Sequence, residues 1–373
     1  MVKIPPIANL QTVIGSIEGI NATTAWVTGS EKAGGNKGYV YKTTDGGATW
    51  VNGANANMFI NASSFANITC FTNATTGITM GDPINGEFEI YRTTDGGTTW
   101  TAVSGANIPN PNSGEYGTNN VYAKVGSHIW FGTNTGRVFH SMDDGLNWTV
   151  GATAATAGIT DLAFRDANNG LAYGYIGTTL NVYKTTDGGA TWTVISPLPA
   201  NIGKADISAV PGTNYYVSCG AGTGNYIISY SSDNGATWAD WGSTGIQYTR
   251  IDFASATAGW AGTFSDTGDP NIGGIYKYSG DVSLGIKPLA QISGANLFPN
   301  PTSGIINITL PLAKHGMTLN IIDALGKIVY SANLSTFSNN ETKQFNLDFL
   351  AKGLYTINFN IDGNISYSKI VVE

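Results

Sequence analysis

Charge is scarce in this chain. Lys, Arg, Asp and Glu make up 12% of 373 residues, about half the usual share. The net charge of −7 excludes nucleic acid and an anionic membrane surface as partners, because both call for a basic face. Cys70 and Cys219 are the only cysteines; two are too few for a disulfide framework and read as small buried hydrophobes. No run of about 18 apolar residues occurs, so no membrane span is expected. The opening MVKIPPIANL lacks the apolar stretch of a signal peptide. Long runs with apolar residues at i, i+3, i+4 and i+7 are also missing, which removes helices from the expected fold. Metal and nucleophile motifs (HExxH, CxxC, an EF-hand, GxSxG, a P-loop) are absent, so no metal or cofactor is expected. The glycine-rich GAGTG at 220–224 has no helix pattern after it to present a phosphate site. The three histidines, His128, His140 and His315, read as solvated surface.

What is abundant is glycine, 49 residues, together with Thr, Asn and Ser, the composition of turn-rich β structure. One phrase recurs. KTTDGGATW stands at 42–50 and again at 184–192, with near-copies RTTDGGTTW (92–100), HSMDDGLNW (140–148) and YSSDNGATW (230–238). The aspartates Asp45, Asp95, Asp143, Asp187 and Asp233 lie 50, 48, 44 and 46 residues apart, the length of a four-stranded propeller blade. Around each box the frame repeats as well: a first strand such as DLAF (161–164), a second such as IWFGT (129–133), a third running into the box and a fourth running out of it. SIEGINATTAW (16–26) aligns with RIDFASATAGW (250–260) without a gap, so there are six units although five carry a box. The sixth stops after its third strand at 274–280, and the leading segment, residues 4–14, is expected to supply the missing one and close the ring.

The box itself reads as a lock on the hairpin between third and fourth strands. Its Asp accepts bonds from N–H groups just ahead, its Gly takes a left-handed φ, and Trp50, Trp100, Trp148, Trp192 and Trp238 cover the turns. The pattern [ST]-x-D-x-G-x-[TN]-W resembles the Asp box of the bacterial neuraminidase repeat, found in sialidases, sortilin-type receptors, some glucanases and photosystem-assembly-factor-like propellers. The expected fold is all-β: a six-bladed β-propeller with Asp-box hairpins over residues 1–283, a linker at 284–296 and a small immunoglobulin-like β-sandwich at 297–373. In that last segment Trp, Arg and Cys disappear, and FPNPTSG, DALGKIVY, LAKGLYTI and SKIVVE resemble the type A C-terminal sorting domain of the type IX secretion system. The resemblance implies a Bacteroidetes origin, the secretion machinery as a partner for residues 297–373, and a secreted or outer-surface protein.

Sialidases that resemble this repeat grip a substrate carboxylate with three arginines. Four arginines are present; Arg92 and Arg165 belong to the rim that carries the boxes, leaving Arg137 and Arg250 for the opposite rim, where propeller ligands usually sit. Two arginines exclude the sialidase site. The ligand rim offers the acids Glu31, Asp82, Glu87, Glu115, Asp266 and Asp269 and the aromatic rings Tyr116 and Phe264, on loops of blades six, one, two and three. The expected function is a secreted, non-catalytic propeller that binds a glycan or surface protein through Tyr116, Phe264, Glu87, Arg137 and Arg250. The alternatives are a glycoside hydrolase, which needs two carboxylates drawn from Glu115, Asp266, Asp269 and Asp82, and a non-catalytic assembly factor. Ser16, Asn67, Asn120, Asp161, Asp206 and Arg250, just before the apolar anchors of the first strands, are expected to form a polar ring in the channel, where Asp161, Asp206 and Arg250 could pair.

Overall fold

The computed structural model divides the chain into two compact units, residues 1–283 and 284–373. It describes residues 12–31, 38–222, 224–242, 246–263, 274–280, 282, 296–309, 314–323, 327–338, 341–361 and 364–373.

Six antiparallel sheets make up the described part of the first unit, each with its strands neighbouring in chain order. Blade one comprises Thr12–Gly19, Ala25–Glu31, Gly38–Thr43 and Val51–Asn52. Blade two comprises Ala66–Phe71, Gly77–Ile84, Glu87–Thr93 and Thr101–Ala102. Blade three comprises Gly117–Val125, His128–Thr133, Arg137–Ser141 and Trp148–Ala152. Blade four comprises Ile159–Phe164, Gly170–Ile176, Thr179–Thr185 and Thr193–Val194. Blade five comprises Asp206–Ala209, Tyr216–Cys219, Ile228–Ser231 and Ala239–Gly242. Blade six has three described strands, Tyr248–Ser255, Ala258–Thr263 and Gly274–Lys277. First strands of consecutive blades lie side by side, which makes them the inner strands of a β-propeller. Apolar side chains fill the space between blades. Ile68, Met80 and Phe88 of blade two meet Ile129, Phe131 and Phe139 of blade three, each burial contributing roughly 1.5–3 kcal/mol. Cys70 and Cys219 are buried and free.

The leading segment differs from expectation. Thr12–Ile14 belong to the first strand of blade one, paired with Gly29–Glu31, because that strand continues outward past a bulge between Ile14 and Ser16. The rest of the expected closing strand, residues 4–11, lies outside the described residues.

All five boxes share one bonding scheme. In the first, Thr49 donates its N–H to Asp45 Oδ1 (2.9 Å) and its hydroxyl to Oδ2 (2.5 Å), while Gly47 donates its N–H to Thr43 Oγ1 (2.9 Å). In the others, Oδ1 of Asp95, Asp143, Asp187 and Asp233 accepts the N–H of Thr99, Asn147, Thr191 and Thr237 respectively. Gly47 sits at φ +89°, where a Cβ is strained.

Consecutive blades are clamped at these turns. The second strand of one blade presses an apolar side chain against the next blade's turn. A Cβ on Gly97 would lie 2.2 Å from Trp26, one on Gly145 2.3 Å from Ile78, and one on Gly235 2.9 Å from Leu171. Trp130 donates its indole N–H to Gly188 O (2.7 Å). Beside these, the residue leading into the first two boxes reaches the same turn: Lys42 donates to Gly96 O (2.7 Å) and Arg92 to Asp144 O (2.9 Å). His140 holds that slot in blade three, and its expected solvation is corrected here. It is buried, stacked on Trp130 at 4.5 Å, and burial, helped by His128, pulls its pKa down to about 4.

In the second unit, Asn296–Phe298, Ile305–Thr309 and Thr342–Asn346 form a three-stranded sheet. A four-stranded sheet has the order Ile328–Phe337, Lys314–Ile322, Gly353–Ile361, Asn364–Val372. Ile306 and Ile308 from one sheet pack with Leu319, Ile321, Ile357 and Ile370 from the other, giving a small β-sandwich.

Candidate functional site

On the rim opposite the boxes, the connection between blades two and three turns through a short 3-10 segment, Gly105–Asn107, and returns at Glu115. Glu115 is 4% exposed and fully bonded. Its Oε1 accepts from Thr133 Oγ1 (2.6 Å) and Thr135 Oγ1 (2.7 Å), its Oε2 from Arg137 Nη1 (2.6 Å) and Asn112 N (2.7 Å). The Arg137 guanidinium lies 4.9 Å over the Phe139 ring, and its side chain is mostly buried. Glu115 and Arg137 thus come together as an internal anchor, since a buried carboxylate is tolerable only when paired and hydrogen-bonded. Neither is presented as a free group at the rim.

The anchor holds Tyr116. Its N–H donates to Asn134 Oδ1 (2.8 Å), and its carbonyl accepts from Asn134 N (3.1 Å). Asn134 Nδ2 in turn donates to Gly114 O (3.1 Å). The backbone is bonded on both sides while the side chain stays out, with the residue 51% exposed.

Asp82 lies beside this loop and accepts from Gly117 N (3.2 Å). Burial pushes its pKa up to about 6 against the bond from Asn67, and the Glu89 carboxylate adds to the rise. Glu89 Oε1 accepts from Tyr91 OH (3.1 Å), and Glu87 packs against Gly105. Glu89 Oε2 and Glu87 Oε2 are buried without a hydrogen-bond partner. Phe264, Asp266 and Asp269 lie outside the described residues, as does the side chain of Glu31. Among the described residues no group of three or more His, Cys, Asp and Glu could hold a metal ion.

At the channel mouth, Arg250 donates to Asp206 Oδ1 (2.8 Å). Asp206 Oδ2 accepts from Ile251 N (2.6 Å), and Asp161 Oδ2 from Ile207 N (2.7 Å). These carboxylates take N–H groups from the next blade's inner strand, as Ser16 Oγ does from Thr69 N (3.0 Å). The inner strands face each other without a shared sheet, so these side chains link blade one to two, four to five and five to six; Asn120 is exposed. Burial and the adjacent Asp206 charge hold Asp161 far above the usual carboxylate range.

Further along the inner strands stands a cluster that sequence reasoning missed. Lys124 forms an ion pair with Glu18 and donates to Phe71 O (2.9 Å); Tyr122 OH donates to Glu18 Oε2 (2.6 Å). It joins blades one, two and three. Its signal was present in the alternation, because Glu18 follows Ser16 by two residues and so shares its face.

Residues 296–373 match the family of secretion system C-terminal sorting domains. This segment is a type IX sorting domain. It indicates export through that system to the cell surface or the extracellular space, and no described helix is long and apolar enough to cross a membrane. Among solved structures, the chain is similar to YCF48 bound to D1 peptide, with TM-score 0.50 and 15% identity over 80% of this chain and 89% of that one. YCF48 from Cyanidioschyzon merolae gives TM-score 0.48 and 16% identity over 80% and 93%. At such identities the first likeness speaks for the propeller fold alone. A xyloglucanase of Hypocrea jecorina (strain QM6a) is 29% identical over 136 residues, 35% of this chain. The match spans 16% of the xyloglucanase's length.

Proposed function

We propose that the protein is an exported, non-catalytic binding propeller that holds a glycan against Tyr116, on the loops of blades six, one, two and three. The observation that carries this reading is the pinned backbone and open ring of Tyr116. A preordered aromatic face suits the apolar C–H side of a sugar and loses little freedom on binding. Glu87 and Arg250 would supply polar contacts, and Phe264 a second face. The buried, saturated state of Glu115 supports binding over hydrolysis. The test is a glycan array on the full chain beside Tyr116→Ala. The expected result is saturable binding that the variant weakens roughly tenfold, the size of one aromatic contact of about 1.4 kcal/mol. Equal binding by the two proteins would sink the assignment, and a blank array would turn it toward a surface protein.

A second reading, a glycoside hydrolase, is favoured by one observation. Burial pushes the Asp82 carboxyl up to about 6 and the nearby Glu89 carboxylate adds to the rise, and a raised carboxyl beside a second carboxylate is the arrangement of an acid and its partner. The partial likeness to a xyloglucanase makes β-glucans the first substrates to try. Release of reducing ends that declines above pH 6 and vanishes in Asp82→Asn would establish it; binding without products would exclude it.

The sorting domain supports the exported state. A chain lacking residues 296–373 is expected to stay in the periplasm, as read by fractionation.

A further inference from the structure

Two phrases of the sorting domain, FPNPTSG at 298–304 and SKIVVE at 368–373, lie far apart in sequence and meet in space. The strand Asn364–Val372 stands at one edge of the four-stranded sheet and pairs on one side with Gly353–Ile361. On the other side its groups meet residues 300–302. Asn300 Nδ2 donates to Lys369 O (2.9 Å), and Val371 N donates to Asn300 Oδ1 (2.9 Å). Thr302 N donates to Val371 O (2.8 Å), and Glu373 N donates to Thr302 O (2.9 Å). Thr302 is itself buried, and its hydroxyl takes the N–H of Gly304 (3.2 Å).

We propose that Asn300, with Thr302 behind it, is a latch that positions the last strand, and that export requires this strand in its latched form. This rests on the sorting function of residues 296–373. The physical reason lies in the edge. A free edge strand offers unpaired N–H and C=O groups to any passing chain. One asparagine amide here satisfies a carbonyl and an amide two residues apart, in the manner of a neighbouring strand, and the Thr302 backbone completes the row. Ile370 and Val372 are thereby held in the core while Lys369 and Val371 face outward. Asn300 is exposed, so its bonds compete with water and each contributes little. The latch can therefore be loosened without unfolding the sandwich.

The experiment uses the full chain in its exporting cell. It compares Asn300→Ala with Asn307→Ala, a control that removes a half-buried asparagine, one that donates to Phe298 O in the other sheet. Three quantities are read: the exported fraction, hydrogen exchange of the peptide covering 368–373, and the thermal midpoint. The expected result is a tenfold or greater rise in exchange at 368–373 and a several-fold fall in export for Asn300→Ala, with neither change in Asn307→Ala. Asn300→Asp keeps the acceptor for Val371 and loses the donor to Lys369, so it should fall between. Normal export despite faster exchange would overturn the proposal, as would unchanged exchange or an equal export defect in the control. If the deletion of 296–373 were exported normally, the sorting reading itself would fail, a result distinct from these.

Discussion

Asp45 and Asp95 are solvent-facing carboxylates whose acidity the fold nevertheless lowers to about 2, chiefly through the hydroxyls of Thr49 and Thr99 and then their N–H groups. The ordinary aspartate value is about 3.9. The folded value lies below the unfolded one, so this stabilisation is full above about pH 4 and disappears as pH falls toward 2. The double variant Asp45→Asn, Asp95→Asn should therefore melt lower than wild type at pH 7 and approach it as pH drops from 4 to 2. Thermal melts across that range decide; curves that stay parallel would refute it. This chemistry was legible in the sequence because every partner lies within five residues of the aspartate. Glu115 and Arg137 were legible as chemistry-bearing residues but not as each other's partners. They sit 22 residues apart, and only the return of the loop onto the third strand of blade three joins them. His140 was misread for the same kind of reason: its slot appears exposed within one blade and is covered by the next.

At the scale of elements, the inner strands carry the most demanding electrostatics. Glu18 and Lys124 are separated by 106 residues, beyond the reach of any repeat pattern. Glu18 is nearly buried, while the Lys124 side chain is 39% exposed. Breaking a buried pair costs about 3–5 kcal/mol because one charge is left unpaired, and exposure of the lysine discounts that figure. Lys124→Met should thus cost about 2 kcal/mol by urea unfolding. Adding Glu18→Gln should recover most of the loss, since the stranded charge is then gone. A second substitution that only adds to the first would show that the pair contributes through packing rather than charge. The same channel residues separate blades four to six from blades one to three: the former are linked by carboxylates taking backbone N–H groups, the latter by a salt bridge with a tyrosine.

For the propeller as a whole, the seam between blades six and one is the informative place. Trp260 pairs with Lys277 in the register that Trp26 and Lys42 share, so blade six carries both parts of the clamp that blade one applies to blade two. Blade one offers the matching turn at Gly46 and Gly47, where, among the described residues, no side chain from another blade lies within 4 Å of a Cβ position. Trp260 is 40% exposed and Ile275 80%. If the register is fulfilled by blade one, Trp260→Ala should destabilise the propeller by about 3 kcal/mol, as for a buried tryptophan. A loss under about 1 kcal/mol, with association that grows with concentration in sedimentation, would mean that this face stays free.

From blade one through blade five, that clamp gives the blades a front and a back, like links that hook in one direction. A head-to-tail contact of this kind closes into a ring when its rotation divides a full turn and runs on as a filament when it does not. The boxed repeat therefore sets more than the shape of a hairpin: it makes the choice between a sealed ring and a growing fibre hang on one junction, the one where Trp260 looks for a glycine.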